Sequence, residues 1–158
     1  MESTTTFVRD LIKGRIAETI FEMMFRETGK FTILRFGYEY TQPELAQYKH
    51  YLRLPEAIEN IDNSPDFILL SNDKTKVYLV EVKYRSSFDS DKIKVIAQSI
   101  ASRWHSPYLF IATPKGFFFE PCNTIIKNNG NIGQLFDNKV PKEIQEKYLE
   151  LLNEFERK

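Results

Sequence analysis

The sequence predicts an α/β fold, a mixed central β-sheet flanked by helices. Three observations predict it. Helical and strand-like segments alternate along the chain in the order α-β-(α)-β-β-α-β-β-α. Two apolar runs, 65–71 (PDFILLS) and 76–84 (KVYLVEVKY), flank the turn formers Asn72, Asp73, Lys74 and Thr75, which is the pattern of a hairpin. A further apolar run at 107–113 follows an intervening helical segment and precedes a short aromatic one.

Taken in order, residues 5–28 read as a helix, with a threonine run to cap its start and Gly29 to stop it. Residues 31–40 are rich in aromatic and β-branched types and read as a strand. Pro43 opens a polar helical segment to about residue 60, interrupted by Pro55. After the hairpin, residues 90–104 read as a helix capped by Asp89 or Ser90. Residues 107–113 form a strand, Pro114-Lys115-Gly116 turns the chain, and Phe117–Glu120 forms another. Residues 121–139 read as loop. The last helix starts near Pro141, a favoured first helical position. Its stripe Ile144, Tyr148, Leu151, Phe155 is expected to pack on the sheet, with a dimer contact as the alternative.

The length of 158 residues fits one domain spanning the whole chain. With 42% hydrophobic and 28% charged residues, the composition is that of a globular protein able to bury a core. Cys122 is the sole cysteine, which excludes an intrachain disulfide and a cysteine-based zinc site. The start, MESTTTFVRD, lacks a signal-peptide layout, and no apolar run reaches the length of a membrane span. A cytoplasmic protein without a membrane partner is expected. Net charge is zero, which argues against a strongly basic DNA-gripping domain. The charge is nevertheless segregated. Residues 83–115 carry six Lys/Arg against two Asp, and residues 44–66 carry five acids against two bases. The basic stretch reads either as a phosphate-facing side or as solvated helix surface.

The chemistry concentrates in the hairpin. On its second strand, Val77, Leu79, Glu81 and Lys83 share one face. Two charges on a strand this apolar are costly unless they are paired or bind something. A symmetric loop of two or four residues sets Leu70 opposite Val77 and Asp66 opposite Glu81, with Cβ atoms about 4.5–5.5 Å apart. Carboxylates that close repel unless a proton or cation lies between them. A divalent metal with oxygen ligands fits the gap. An odd loop would put the two acids on opposite faces. Glu18 lies on the helical stripe Leu11, Gly14, Glu18, Phe21, Phe25, whereas Glu22 and Glu27 are expected on other faces. Glu18 either forms a structural ion pair or points into a site. Lys83 is either the ion-pair partner of the acids or a group that orients water and neutralises developing charge.

Pro65-Asp66, a hydrophobic hairpin, Glu81-Val82-Lys83 and the preceding helix GRIAETIFEMMF resemble the PD-(D/E)XK nuclease superfamily, across roughly residues 7–113. That superfamily includes restriction endonucleases, archaeal Holliday-junction resolvases and DNA-repair nucleases. The resemblance implies a restriction-endonuclease-like fold and metal-dependent endonucleolytic hydrolysis of DNA. It implies Mg²⁺ or Mn²⁺ held by Asp66, Glu81, the Val82 carbonyl and Glu18, with Lys83 acting on the nucleophilic water. It also implies a possible role for Gln98 in the next helix, with Lys94 as runner-up, and a homodimer if the chain is resolvase-like. The alternatives are an inactive nuclease-fold module that binds nucleic acid or protein, and a metal-binding domain unrelated to nucleic acid.

Other motifs point to no chemistry. His50 and His105 lie far apart with no nucleophile pattern nearby, and Cys122 reads as a plain thiol. The run Asn128–Gly133 lacks the Lys-Ser/Thr ending of a phosphate-binding loop and reads as an exposed turn. Phe117–Phe119 reads as strand and core, with base stacking as the alternative.

Overall fold

The computed structural model describes residues 4–35 and 65–156. The expected helical segment from Pro43, the second half of the 31–40 strand, His50 and most of the acidic stretch lie outside these residues. The elements are α1 (Thr4–Glu27), β1 (Phe31–Arg35), β2 (Phe67–Ser71), β3 (Val77–Tyr84), α2 (Ser90–Ala101), β4 (Tyr108–Thr113), β5 (Gly116–Pro121), α3 (Cys122–Lys127) and α4 (Lys142–Glu156). Among the described residues no helix is long and apolar enough to cross a membrane.

The five strands form one mixed sheet in the order β1-β2-β3-β4-β5. All neighbours are antiparallel except β3 and β4, which are parallel and joined through α2. The expected fold class is thus what the chain adopts. Gly29 ends α1 as expected: its φ of 69° is the left-handed value that releases a helix, and its N–H donates to the Arg26 carbonyl.

The strands alternate between two cores. Val80 and Val82 of β3, Phe110 and Ala112 of β4, and Phe117 and Phe119 of β5 face α1 and α4. There Phe21 is the hub: its ring centroid lies 4.6 Å from Phe25, 5.0 Å from Phe67 and 4.9 Å from Phe110. Leu109 and Ile111 face the other way, onto Ile93, Ala97 and Ile100 of α2 and Ile125 of α3. Each fully buried Phe or Ile contributes about 1.5–3 kcal/mol of burial, so the sheet is a stiff platform with helices on both faces.

Three expectations are corrected. Residues 121–139 are not all loop, because Cys122–Lys127 forms α3, which tucks Cys122 and Ile125 under the sheet. The signal was short: three apolar residues in a six-residue segment are too few for a helical period. The Asn/Gly run that follows is a turn, but not an open one. Gly130 has φ 90° and packs so closely on the Ser90 carbonyl that a Cβ would collide with it. The stripe on the last helix also splits. Ile144 and Tyr148 pack on the core, Leu152 is the residue fully buried there, and Leu151 and Phe155 stay exposed.

Candidate active site

The hairpin register is the one that the even loop requires. Leu70 pairs with Val77 and Phe67 with Val80, so the same register continued by one residue sets Asp66 opposite Glu81. The loop is held by Asp73, which accepts from Ser71 Oγ (2.6 Å), Thr75 Oγ1 (2.7 Å) and Thr75 N (3.0 Å).

The site lies where the sheet parts. The β2–β3 ladder ends at Phe67 and Val80, while the β3–β4 ladder runs on from Val80 to Tyr84. Beyond the parting, the Asp66 side chain takes the place of the missing strand: its Oδ2 accepts from the Val82 N–H at 2.8 Å. This bond aims the carboxyl back at β3.

Electrostatics shows what surrounds it. Burial pushes the Asp66 carboxyl up to about 8, and the charges of Glu81 and Glu18 push in the same direction. The Val82 N–H and the Lys83 ammonium oppose the shift. Three acids and one lysine, from α1, the approach to β2, and β3, therefore share one field. Lys83 Nζ stands 3.4 Å from Glu81 Oε1, and its side chain is 37% exposed, so it is open to a substrate. Glu81 also raises the buried Cys122 thiol, after burial itself, up to about 12. Glu81 thus projects to the α2/α3 side of the sheet, and Cys122 is an inert thiol there.

Glu18 is half-buried and has partners of its own. The expectation for its neighbour was wrong. Glu22 is the buried acid of α1 and lies one turn further along. It forms an ion pair with Arg35 of β1, whose Nε also reaches Glu22 Oε2 at 3.1 Å, and Arg26 Nε stands 3.6 Å from Oε2. The helix therefore carries two inward acids four residues apart, one neutralised by arginines and one beside more acids. Glu27 is exposed and forms an ion pair with Lys147 of α4.

The described contacts do not bring Gln98 to this cluster. Its side chain is exposed on α2, one turn beyond Lys94, which reaches Asn129 at 3.4 Å on the α3 side. His105 is exposed in the loop before β4. Phe88 is the exposed aromatic near the end of β3, its ring 4.5 Å from that of Phe118.

No protein-family model and no curated protein matches this sequence. Among solved structures there is a match. The chain is similar to the Holliday junction resolvase Hjc of the archaeal hyperthermophile Archaeoglobus fulgidus, with 13% identity and a TM-score of 0.38. The alignment covers 85% of this chain and 98% of that one.

Two contributions escaped the sequence. The role of the Val82 N–H as anchor for Asp66 follows only from where β2 stops, and no residue type announces that point. The second is a clasp beside the site. The Tyr84 hydroxyl donates to Glu156 at the end of α4, Lys13 Nζ of α1 donates to the same Glu156 oxygen at 3.4 Å, and that ammonium lies 5.2 Å from the Tyr84 ring centre. This clasp ties α1 and α4 to the residue after Lys83. Its partners lie up to 143 positions apart, beyond the reach of any local pattern.

The residues suit a hard divalent ion in kind. Asp66 and Glu81 offer carboxylate oxygens, and a carboxyl held at about 8 by burial and then by its acidic neighbours needs a proton or a cation to be at ease. As they stand, no three His, Cys, Asp or Glu side chains among the described residues are gathered as a ligand group. The Asp66 carboxyl accepts from the Val82 N–H, and the Glu81 carboxyl stands beside the Lys83 ammonium.

Proposed function

We propose that this chain is a Mg²⁺- or Mn²⁺-dependent endonuclease that hydrolyses DNA phosphodiester bonds at a PD-(D/E)XK-type site. One observation carries the reading. Asp66 is buried beside Glu81 and Glu18 at the parting of β2 and β3, and the solvent-reachable Lys83 stands next to Glu81.

Asp66, Glu81, the Val82 carbonyl and Glu18 would hold the ion. When bound, it supplies an acidified water and offsets phosphate charge. The chain does the rest. The Val82 N–H fixes Asp66. Glu81 holds the Lys83 ammonium in reach of the same space. Lys83 orients the attacking water and neutralises the charge that develops on the phosphoryl oxygens. Arg85, Lys92, Arg103 and Lys115, from the basic stretch, meet the DNA backbone.

The test is nicking of supercoiled plasmid and of synthetic branched duplexes with Mg²⁺ or Mn²⁺. Cleavage is expected to stop with chelator and to vanish in Asp66→Ala, Glu81→Ala and Lys83→Ala. Cleavage that persists in all three variants rejects the site.

A second reading is a nuclease-fold module that binds nucleic acid or a protein without cutting. The zero net charge and the ungathered ligands favour it. DNA binding without cleavage across both metals would select it.

A further inference from the structure

We infer that Phe88 is a stacking platform for an unpaired nucleobase of the DNA strand that passes Lys83, so that DNA with unpaired bases beside the cleavage point is the substrate class of this site. The inference rests on the proposed nuclease reading for the path of that strand.

Position comes first. Lys83 of β3 pairs with Ile111 of β4, and Ile111 pairs with Phe118 of β5, so the three residues form one row across the sheet. Ile111 and Phe118 belong to the α2/α3 side, and Lys83 alternates to that side because Val82 belongs to the other. The Phe88 ring rests on Phe118, with centroids 4.5 Å apart. Neighbouring strands lie about 4.8 Å apart, which sets Phe118 about 10 Å from Lys83 along the row. Stacked nucleotides advance about 3.4 Å each. A strand whose phosphate meets Lys83 therefore brings a base over Phe88 within about three steps.

The ring is open and held. It meets Phe118 edge to face at 75°, which leaves at least one face of Phe88 clear of Phe118, and the residue is 46% exposed. On one side of it the Arg85 N–H donates to the Ala112 carbonyl at 3.0 Å and extends the β3–β4 ladder. On the other, Asp89 caps α2, accepting from Asp91 N at 3.1 Å and Lys92 N at 3.3 Å. Ser86, Ser87 and Phe88 alone span these anchors, so the ring cannot withdraw without breaking the ladder or the cap. A group fixed before binding loses little freedom on binding.

The surroundings select the ligand. Phe88 lies between the cations Arg85 and Lys92, and its neighbours Ser86, Ser87 and Asp89 are exposed and polar. One aromatic face among cations suits flat rings strung on phosphates, whereas an apolar protein partner calls for a continuous apolar patch. A paired base is stacked on both sides within its duplex, so an unpaired base is the one with a face to offer.

Fluorescence anisotropy tests the inference, in Ca²⁺ rather than Mg²⁺. Two labelled duplexes of one sequence are compared, one fully paired and one with a short single-stranded gap. The wild-type chain is expected to bind the gapped duplex at least tenfold more tightly. Phe88→Ala is expected to lower that ratio about tenfold, the worth of one base–aromatic stack. Phe88→Leu is expected to match Phe88→Ala, and Phe88→Tyr to keep the wild-type ratio. Circular dichroism is expected to be unchanged in all three, because Phe88 is exposed. Equal affinity of the wild type for the two duplexes overturns the inference. So does a Phe88→Leu variant that keeps the ratio, which assigns the residue to a plain apolar contact. If Phe88→Ala loses its fold, the comparison of Phe88→Leu with Phe88→Tyr decides. Nicking of paired plasmid in Mg²⁺ reports on the proposed activity separately. A chain that nicks without preferring the gap loses this inference alone, and one that prefers the gap through Phe88 but cuts nothing loses the activity alone.

Discussion

Two acidic clusters sit one turn apart along α1, and they differ in how they are balanced. Glu22 is nearly sealed from solvent and faces two guanidinium groups, from Arg35 and Arg26. Asp66 faces two more carboxylates, with one ammonium and one N–H to set against them. The first cluster is electrically complete and joins α1 to β1. The second gathers three carboxylates near one ammonium and lies at the parting of the sheet. Burying carboxylates beside one another costs stability, and a bound cation or a charged substrate offsets that cost.

The contrast is sharpest in a comparison of alanine substitutions. Asp66→Ala, Glu81→Ala and Lys83→Ala are expected to lower DNA cleavage about a thousandfold with little loss of fold, and Glu18→Gln about tenfold. Glu22→Ala is expected to do the reverse. It removes the Arg35–Glu22 ion pair and, with Arg35 partly in solvent, lowers unfolding free energy by about 1–2 kcal/mol, measured by urea titration, while cleavage per folded molecule stays near wild type. Equal losses of activity in Glu22→Ala and Asp66→Ala, at equal stability, would erase the distinction.

The next effect is on pH dependence. Asp66 is held at about 8 in the folded chain against an ordinary 3.8. The folded state therefore keeps a proton that the unfolded chain has released between those values. This contribution is fully present below pH 4 and is lost as pH rises to about 8, on the order of a few kcal/mol. Without divalent metal, the melting temperature of the wild type is expected to fall across that window more steeply than that of Asp66→Asn. Adding Mg²⁺ at pH 8 is expected to restore stability to the wild type alone. Parallel pH profiles for the two proteins would refute the charge imbalance. The smallest effect is at Gln98. Gln98→Ala is expected to change cleavage less than twofold, because its side chain lies on the exposed α2 surface towards α3.

Much of the fold was legible because it follows periods. Alternating β3 residues, the even loop from Asn72 to Thr75 and Gly29 after α1 are local signals, and each appears where the sequence put it. The register of Leu70 with Val77 and Phe67 with Val80 was legible for the same reason, since register follows from counting across a turn. What depended on distant partners was not legible. Glu22 carries no mark that separates it from Glu18; its burial in an ion pair depends on the arrival of Arg35 from β1. The burial of Leu152 rather than Leu151 depends on the rotation of α4 against α1, and a stripe read at helical spacing fits either choice within one residue. The short α3 lacks the length that a periodic signal needs.

The bond between Asp66 and the Val82 N–H has a practical consequence. That amide donates to a carboxyl whose ionisation is displaced up to about 8, so its nitrogen and proton resonances act as an internal gauge. Titrating a ¹⁵N-labelled sample would follow proton release at Asp66 through one backbone cross-peak, and the same peak would register the arrival of a divalent ion before any substrate is present.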